Sequence, residues 1–375
     1  MKIKFNIDAL KAKLSGLSSG ADKSKVSLGL DIGHFKSKAV ELNVSENGIS
    51  VSKVGEHKSF NKLKTFDPEN ATKADWVANA QELLENLKIK PKYQKNLISS
   101  LMGSSTTIKQ IVTLELGGSE LIQSLEFEAK KHIPLDGTEV IMDYHVVGDN
   151  IKEAGKIDVL LVATTKNLIN QHDQLISEIG FKNSGIFDAT PIALANLHNF
   201  NKGVPEQGTD VIINIGNKTT SIVAYGKNQD FFTRELNISG HHFNKEIMRK
   251  NEIDYSEAES LKIEKGVSLL ESQSAPEESG FSIQVSEKTI FTNFVEEIRK
   301  SLRYYMKSSP DAFFNKIYLT GGSANLLGLK DFISTNLNSD VELLDPFEKI
   351  KLTESLENPY EYSVAVGCAL RGLKK

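Results

Sequence analysis

The hydrophobic residues of this chain follow two spacings, one typical of strands and one typical of helices. In residues 26–44, apolar residues alternate with polar or small ones on both sides of a glycine turn, which predicts a β-hairpin. In residues 75–87, apolar residues recur every three or four positions ahead of Pro91, which predicts an amphipathic helix. The chain therefore mixes strands and helices from its beginning.

The same two spacings continue along the rest of the chain and predict an α/β protein. Gly180 directly follows one helical stretch and is its expected C-terminal cap. Residues 186–188 predict a short strand before a helix that starts near Pro191. The other predicted strands are 96–102, 107–116, 140–147, 157–163, 211–215 and 221–225, and the other predicted helices are 119–132, 167–179, 241–250, 256–265 and 286–307.

Length and polar segments predict two domains. At 375 residues the chain exceeds the size at which a single core keeps growing. The segment 201–208 is polar and contains Gly and Pro, so we place the boundary near residue 207. Residues 1–25 have leucines at helical spacing, and we expect a polar terminal tail rather than a membrane-surface helix. Residues 266–280 are expected to form a polar loop.

Composition and charge exclude several classes of protein. Hydrophobic residues make up 39% and charged residues 25% of the chain, as in ordinary globular proteins. The 45 Lys and Arg residues are dispersed and are balanced by 49 Asp and Glu residues, so we expect no nucleic-acid partner. A single cysteine, Cys368, excludes a disulfide within the chain. With neither a signal peptide nor an apolar stretch of membrane-spanning length, the chain is expected in the cytoplasm.

Two short segments resemble each other and carry the candidate chemistry. Residues 28–42 (LGLDIGHFKSKAVEL) align with residues 211–225 (VIINIGNKTTSIVAY). A repeat separated by the length of a domain predicts duplicated halves whose turns meet in a cleft. Glycine lets backbone N–H groups approach an anion closely, and neighbouring Lys, Ser and Thr side chains add donors, so the repeat predicts a phosphate site. The aligned pairs are Asp31 with Asn214 and Gly33 with Gly216, and the added donors are Lys36, Ser37, Lys218, Thr219 and Thr220.

Two further features fit a nucleotide ligand. Asp31 precedes the first turn and is the expected Mg²⁺ residue, through water, because Mg²⁺ prefers few carboxylates together with phosphate oxygens. Residues 318–329 (YLTGGSANLLGL) predict a strand, a Gly-Gly turn and a helix, and such a turn lets a flat ligand such as adenosine approach the backbone. Each motif is weak alone, whereas the set is much more specific.

Six ordered segments of the chain match a known family. The two glycine turns and residues 318–329 resemble the two phosphate loops and the adenosine loop of the actin-like ATPase superfamily. Residues 127–148, 160–197 and 363–372 sharpen this resemblance to the PilM family of type IV pilus assembly proteins, which are relatives of the cell-division protein FtsA. The resemblance covers essentially the whole chain from Val26 onward.

The resemblance implies a fold and a set of ligands. The fold would be α/β and actin-like, with ribonuclease-H-like domains at residues 26–207 and 208–375. The first would carry an FtsA-type small subdomain (SHS2) at about residues 96–165, and the second an insertion at about residues 240–312. ATP and Mg²⁺ would lie between them. The implied nucleotide contacts are Gly33, His34, Phe35, Lys36, Ser37, Gly216, Lys218, Thr219, Thr220, Gly240, Glu259, Lys262, Gly321, Gly322 and Ser323, with Asp31 near the metal.

The two turns also depart from the superfamily pattern. The second turn has Asn214 where members commonly have Asp, which removes a negative charge from the expected Mg²⁺ position. His34 and Phe35 replace the small residues that usually follow the first glycine. We therefore expect nucleotide binding with weak or absent ATP hydrolysis, and we assign no catalytic residue. Spacing alone makes Glu259 and Lys262 an i, i+3 helix pair, which would also suit a solvated surface.

The resemblance further implies a function at a membrane machine. A PilM-like protein would be a cytoplasmic scaffold, peripheral to the inner membrane through its partners. Its first domain would bind the cytoplasmic N-terminal segment of a PilN-like inner-membrane protein. Other pilus assembly platform and motor proteins would be further partners, and weak homo-oligomerisation stays open.

Other functions stay open on the residues themselves. A small-molecule kinase would need a carboxylate beside the substrate hydroxyl, for which the candidates are Asp31 and Asp188, although Asp188 would equally suit a helix cap. An FtsA-like filament protein would end in an amphipathic membrane helix, whereas this chain stops at Lys375, just after residues 363–372, which favours the PilM-like function. The G-x-S-x-G match at residues 16–20 is set aside because its surroundings are weakly patterned.

Overall fold

A computed structural model of the chain describes residues 25–58, 66–101, 106–132, 139–271, 289–309 and 312–373. The predicted N-terminal tail therefore lies outside the described residues, apart from Lys25, and so does the G-x-S-x-G match. Within the described ranges the strands form two five-stranded sheets and one three-stranded sheet. No helix in these ranges combines the length and the apolar character needed to cross a membrane.

The first sheet is formed by β1 (Lys25–Ile32), β2 (Lys36–Ser45), β3 (Gly48–Lys58), β4 (Leu97–Leu101) and β8 (Ile186–Ala189). Its strand order is β3-β2-β1-β4-β8. The first three strands are antiparallel neighbours, whereas β1, β4 and β8 run parallel to one another. The predicted hairpin is thus the centre of a mixed sheet.

The second sheet repeats this plan with β9 (Thr209–Ile215), β10 (Thr220–Gly226), β11 (Gln229–Leu236), β12 (Phe314–Thr320) and β13 (Val341–Leu343). Its order is β11-β10-β9-β12-β13. Again the first three strands are antiparallel, and β9, β12 and β13 are parallel. The same order and the same directions confirm the prediction of duplicated α/β halves.

The third sheet is a separate antiparallel unit of β5 (Thr107–Leu114), β6 (Val140–Asp149) and β7 (Lys156–Thr165), in the order β5-β7-β6. One helix packs on it through Leu121, Leu125 and Ala129, which recur every four residues on one face. The unit lies in the part of the chain for which a small subdomain is predicted, whereas β4 belongs to the first sheet.

Helices cover both faces of the two larger sheets. The stripe of apolar residues that predicts the long helix near residue 300 is buried in the second half, from Phe294 to Tyr305. The helices are α1 (Lys73–Asn86), α2 (Gly118–His132), α3 (Lys166–Ile179), α4 (Thr190–Asn201), α5 (Gly240–Asn251), α6 (Tyr255–Lys265), α7 (Ser268–Glu271), α8 (Ile290–Ser308), α9 (Leu329–Leu337) and α10 (Ser363–Leu373).

The last helix, α10, returns to the first half, which comprises β1–β8 and α1–α4. It packs against β1, β4 and α4. This approach is so close that a Cβ atom built on Gly29 would lie 1.9 Å from the carbonyl oxygen of Ala365. The same apolar cluster continues into the second half, which comprises β9–β13 and α5–α9, through Ile212 and Tyr318. The two halves are therefore joined by a shared core beneath the cleft described below.

Several elements differ from the sequence-based predictions. Strands β3, β11 and β13 were not predicted, because β3 and β11 have few fully buried positions and β13 is only three residues long. The predicted loop at residues 266–280 begins with the short helix α7, and the rest of it lies mostly outside the described residues. The helix predicted from residue 286 begins at Ile290.

Candidate functional site

A cleft of about 840 Å³ lies where the two hairpin turns meet. Its walls include the first turn (residues 33–36), the second turn (residues 216–219), the Gly-Gly turn at residues 321–322 and one face of α6. The volume falls in the range of about 300–1,000 Å³ that is typical of pockets for small molecules. The duplication therefore brings the predicted motifs to one concave site.

The first and second turns have the same backbone geometry. A Cβ atom built on Gly33 would lie 2.6 Å from the carbonyl oxygen of Lys36, three residues further on. At Gly216 the corresponding distance to the carbonyl oxygen of Thr219 is 2.8 Å. Neither approach is possible for a residue with a side chain unless the backbone moves, so both turns require glycine. The repeat seen in the sequence is thus a repeat of conformation.

The Gly-Gly turn packs against the second turn. Gly321 has a φ of +93°, and a Cβ atom there would lie 2.6 Å from the side-chain oxygen of Asn214. The Ser323 amide donates a hydrogen bond of 3.1 Å to the Ile215 carbonyl oxygen. Only glycine combines this left-handed backbone with such a close approach, so Gly321 fixes the position of the turn.

The start of α5 holds the second turn from the other side. The amide of Gly240 donates to the Gly216 carbonyl oxygen at 3.0 Å, and the amide of His241 donates to the Asn217 carbonyl oxygen at 2.8 Å. The hydroxyl of Ser239 also donates to the Asn217 carbonyl oxygen, at 2.6 Å. The carbonyl groups of Gly216 and Asn217 therefore accept hydrogen bonds from residues at the start of α5.

Lys36 of the first turn is held between two carboxylates. Its ammonium nitrogen lies 2.8 Å from Glu56 on β3 and 3.0 Å from Glu361 in the turn before α10. Burial opposes the charge of Lys36, but Glu361 and Glu56 more than offset that effect and raise its pKa. Burial, together with the hydrogen bond to Glu56, raises the pKa of Glu361 to about 7, although Lys36 and Lys38 act in the opposite direction.

Asp31, the predicted metal residue, faces the cleft beside Lys38. Its carboxylate accepts a 2.9 Å hydrogen bond from the Ser100 hydroxyl and lies 3.5 Å from the Lys38 ammonium nitrogen. The strand register places Lys38 opposite both Asp31 and Glu56, so these three side chains form a row across β1, β2 and β3. Charged neighbours on both sides hold Lys38 at the cleft wall.

Glu259 and Lys262 form a buried pair on α6. The Lys262 ammonium group donates to Glu259 at 2.7 Å, and Asn244 donates to the same carboxylate at 2.6 Å. The Lys262 residue is only 2% exposed, which is inconsistent with a solvated surface pair. Burial would raise the pKa of Glu259, but the charge of Lys262 and the hydrogen bond from Asn244 lower it, so the carboxylate stays ionised.

Three predicted contacts lie behind the cleft wall. Ser37 is fully buried in β2, and the Thr220 hydroxyl donates to the Ile238 carbonyl oxygen at 2.8 Å. Gly240 lies against Ser323, whose hydroxyl oxygen would be 2.5 Å from an added Cβ atom. These residues support the turns from behind. The predicted residues that line the cleft are Asp31, Gly33, His34, Phe35, Lys36, Gly216, Lys218, Thr219, Glu259, Lys262, Gly321, Gly322 and Ser323.

Asp188, considered as a kinase carboxylate or a helix cap, has a different contact. It is 2% exposed and accepts a 2.9 Å hydrogen bond from Arg371 on α10. The cap residue of α4 is Ala189, which makes no side-chain capping bond. Asp188 thus anchors the last helix to the first half.

The sequence reasoning missed many of the residues that line the cleft, among them Lys38, Glu56, Asn217 and Glu361. The alternation of β2 gives a signal for Lys38, because residues two apart on a strand share a face and Lys36 was already a candidate. No comparable signal exists for Glu361, which meets Lys36 across 325 residues of chain. Such a contact depends on the packing of α10 against the first half.

The comparison with known proteins defines the class and then the family. Two duplicated α/β halves around one cleft form an actin-like fold. The family model of the type IV pilus assembly protein PilM matches residues 29–373, and the chain belongs to this family.

Solved structures agree with this assignment of the fold. A structure described as the PilM-PilN type IV pilus biogenesis complex superimposes with a TM-score of 0.74 at 22% sequence identity, covering 92% of this chain and 98% of that chain. The ethanolamine utilization protein EutJ from Carboxydothermus hydrogenoformans gives a TM-score of 0.52 at 13% identity, covering 98% of this chain and 99% of that chain.

Proposed function

We propose that this chain is a cytoplasmic ATP-binding scaffold of type IV pilus assembly that binds the N-terminal segment of a PilN-like inner-membrane protein. The proposal depends on one observation: in this member of the PilM family, the two glycine turns and the Gly-Gly turn line the same cleft. The similar solved structure is a complex of PilM with PilN, which supports the choice of partner.

The cleft fits ATP in shape and in donors. The phosphates would lie between the first and second turns, whose backbone conformation requires Gly33 and Gly216. Lys38 and Lys218 offer ammonium groups at the same place. The nucleoside would lie beside Gly321 and the buried Glu259–Lys262 pair, whose ionised carboxylate can accept hydrogen bonds from ribose hydroxyls.

The charges around the cleft favour Mg²⁺ as a companion of ATP. The described residues that line it include as many acidic as basic side chains, so the walls do not by themselves neutralise a triphosphate. Asp31 could hold the hydrated ion through water, as Mg²⁺ commonly binds. The bound ion would supply positive charge to the phosphates. The basic residues are Lys36, Lys38, Lys58, Lys218, Arg234 and Lys262, and the acidic ones are Asp31, Glu56, Glu235, Glu259, Glu357 and Glu361.

We further propose that nucleotide binding and partner binding are coupled. The domains would be residues 26–207 and 208–375, and ATP would bridge them. A ligand that contacts both domains favours their closed arrangement, and a partner site that differs between open and closed arrangements responds with a change in affinity. The small-molecule kinase has less support, because Asp188 is held by Arg371 and does not line the cleft.

A fluorescence-anisotropy titration tests this function. Purified protein is titrated into a labelled N-terminal peptide of a PilN-like protein, with and without MgATP, and a peptide of the same composition in scrambled order is the control. We expect saturable binding of the native peptide and a shift in its Kd on adding MgATP. Equal binding of both peptides, or none, together with sugar-dependent ADP release, would support the kinase instead.

A further inference from the structure

Aromatic side chains from both halves meet beside the cleft. Phe66, which precedes α1 in the first half, contacts Tyr255 at the start of α6 with ring centroids 4.9 Å apart. Phe35 of the first turn contacts both rings, at 5.2 Å from Phe66 and 6.2 Å from Tyr255. His241 of α5 stacks on Tyr255 at 5.7 Å. The first turn is thereby packed against α6 of the second half through Phe35 and Tyr255.

Polar contacts attach the second turn to the same place. The Lys218 ammonium group lies 3.1 Å from the Glu69 carboxylate, which belongs to the first half. The side chain of Asn217 donates a 3.0 Å hydrogen bond to the Tyr255 hydroxyl. Each turn therefore reaches across to the opposite half. We call Phe35, Phe66, Glu69, Lys218 and Tyr255 the clasp.

The segment that supplies Phe66 and Glu69 has helix caps of its own and leads directly into α1 of the first half. The Asp67 carboxylate accepts a 3.0 Å hydrogen bond from the Glu69 amide and caps the short helix Pro68–Asn70. Thr72 and Asp75 then form a capping box at the start of α1. Phe66 is only 5% exposed. Since the segment leads into α1, we expect separation of the halves to break the contacts of Phe66 and Glu69 with Tyr255 and Lys218.

We propose that the clasp sets the rate at which the two halves separate, and so the rate at which nucleotide enters and leaves the cleft. This inference rests on the proposed binding of ATP. Closure of domains around a ligand commonly limits exchange, and contacts made only in the closed arrangement slow opening. The bulky Phe35 in the first turn gains a function in this way, since its ring provides the aromatic contact across the cleft.

Glu69 connects the clasp to the proposed phosphate site through its ion pair with Lys218. It pairs with Lys218, which is also a proposed phosphate donor. A phosphate group that approaches Lys218 competes with Glu69 for the same ammonium group. Ligand entry thereby replaces one contact of the clasp with contacts that the ligand itself makes to the two halves.

The chain contains a reporter next to this region. Its single tryptophan, Trp76, lies on α1 and contacts His34 of the first turn, with ring centroids 5.7 Å apart. Burial and the charge of Lys218 lower the pKa of His34 to about 4, so the imidazole is neutral at pH 7. Trp76 emission at neutral pH therefore follows movement of the first turn without interference from protonation of His34.

Stopped-flow mixing with the fluorescent nucleotide mant-ATP tests the clasp in Phe66→Ala. We expect the association and dissociation rate constants both to rise about tenfold, with Kd changed by less than about threefold, because the lost aromatic contacts favour neither the loaded nor the empty cleft. The matched control is Phe181→Ala, which removes a phenylalanine of equal exposure (5%) from the core of the first half. Its rate constants are expected to equal those of the wild type.

If Phe66→Ala does not fold, a less disruptive variant, Glu69→Gln, tests the same proposal. Glu69→Gln should raise both rate constants about twofold. Its control is Glu206→Gln, which removes the charge of a carboxylate that pairs with Lys227 at an exposed position outside the cleft lining. Unchanged rate constants in Phe66→Ala and Glu69→Gln would overturn the clasp, whereas failure of mant-ATP to bind the wild type would overturn the nucleotide binding on which it rests.

Discussion

The first and second turns share a backbone but have different electrostatic surroundings. In the first, Lys36 lies between two carboxylates, and Asp31 lies beside Lys38. In the second, Asn214 replaces the aspartate, and Lys218 contacts an exposed glutamate of the other half. The two halves thus share the conformation of this turn, while the charges around it differ.

The two turns also differ in the contacts that hold them in place. The first turn is tied through Lys36 to β3 and to the turn before α10, and the charge around it depends on the protonation of Glu361. The second turn has the carbonyl groups of Gly216 and Asn217 held by residues at the start of α5, and its lysine side chain reaches across the cleft. The first turn is therefore held by side-chain ion pairs, whereas the second is held through its backbone.

The largest expected effect on stability comes from substituting the glycines that give the two turns the same backbone conformation. Gly33→Ala and Gly216→Ala should each lower the free energy of unfolding by about 3 kcal/mol, because each new Cβ atom would overlap a carbonyl oxygen of the same turn. Gly117→Ala is the control, since a Cβ atom there meets no atom within 4 Å. Urea denaturation measures the three variants. If only one of the two glycine variants lost stability, the backbone conformations of the two turns would differ.

A smaller effect on stability is expected when the lysine of each turn is replaced, because the two lysines have different charged neighbours. Lys36→Met should lower the free energy of unfolding by about 2 kcal/mol at pH 8, because it leaves two partly buried carboxylates facing each other. Lys218→Met should cost about 0.5 kcal/mol or less, because its partner Glu69 is solvent-exposed. The same denaturation experiment compares them. Equal losses would contradict the distinction between the turns.

A further effect on stability, smaller than that of Lys36→Met, concerns pH. The folded-state pKa of Glu361 is raised to about 7, above its unfolded value, so the folded chain loses stability as pH rises through 7. Glu361→Gln removes this loss, and its stability relative to wild type should increase by about 1 kcal/mol from pH 6 to pH 8. The lowered pKa of Glu56 acts only at acidic pH, and the raised pKa of Lys36 only at strongly alkaline pH.

The control for this pH series is Glu354→Gln, at an exposed position in the segment that precedes α10. Thermal or urea unfolding is followed at both pH values for the two variants and the wild type. A constant difference between Glu361→Gln and wild type across this range would show that Glu361 does not titrate there.

The sequence predicts the duplicated fold because the repeat combines strand alternation with a glycine at the same place in both turns. It also predicts the long helix α8, whose apolar stripe from Phe294 to Tyr305 is regular and buried. Strand β3 is not predicted from the sequence, because most of its residues are partly exposed and the alternation of apolar and polar residues is weak. Periodicity thus identifies elements with one clearly buried face.

The site is predictable only where its residues are close in sequence. Lys36 and Lys218 belong to the repeat, and Glu259 and Lys262 stand three residues apart on one helix. Glu361 and Phe66 reach the site only when segments distant in sequence pack together. No local pattern specifies such contacts, since they depend on how sheets and helices are arranged in three dimensions.

Hydrogen exchange measured by mass spectrometry tests the central claim, that one nucleotide binds between the two turns. Amide exchange is compared with and without MgATP in peptides that cover residues 33–37 and 216–220, with a peptide from β6 as the control. We predict slower exchange in both turns on adding MgATP and no change in β6. Protection of one turn alone, or of neither, would contradict a site shared by the two halves.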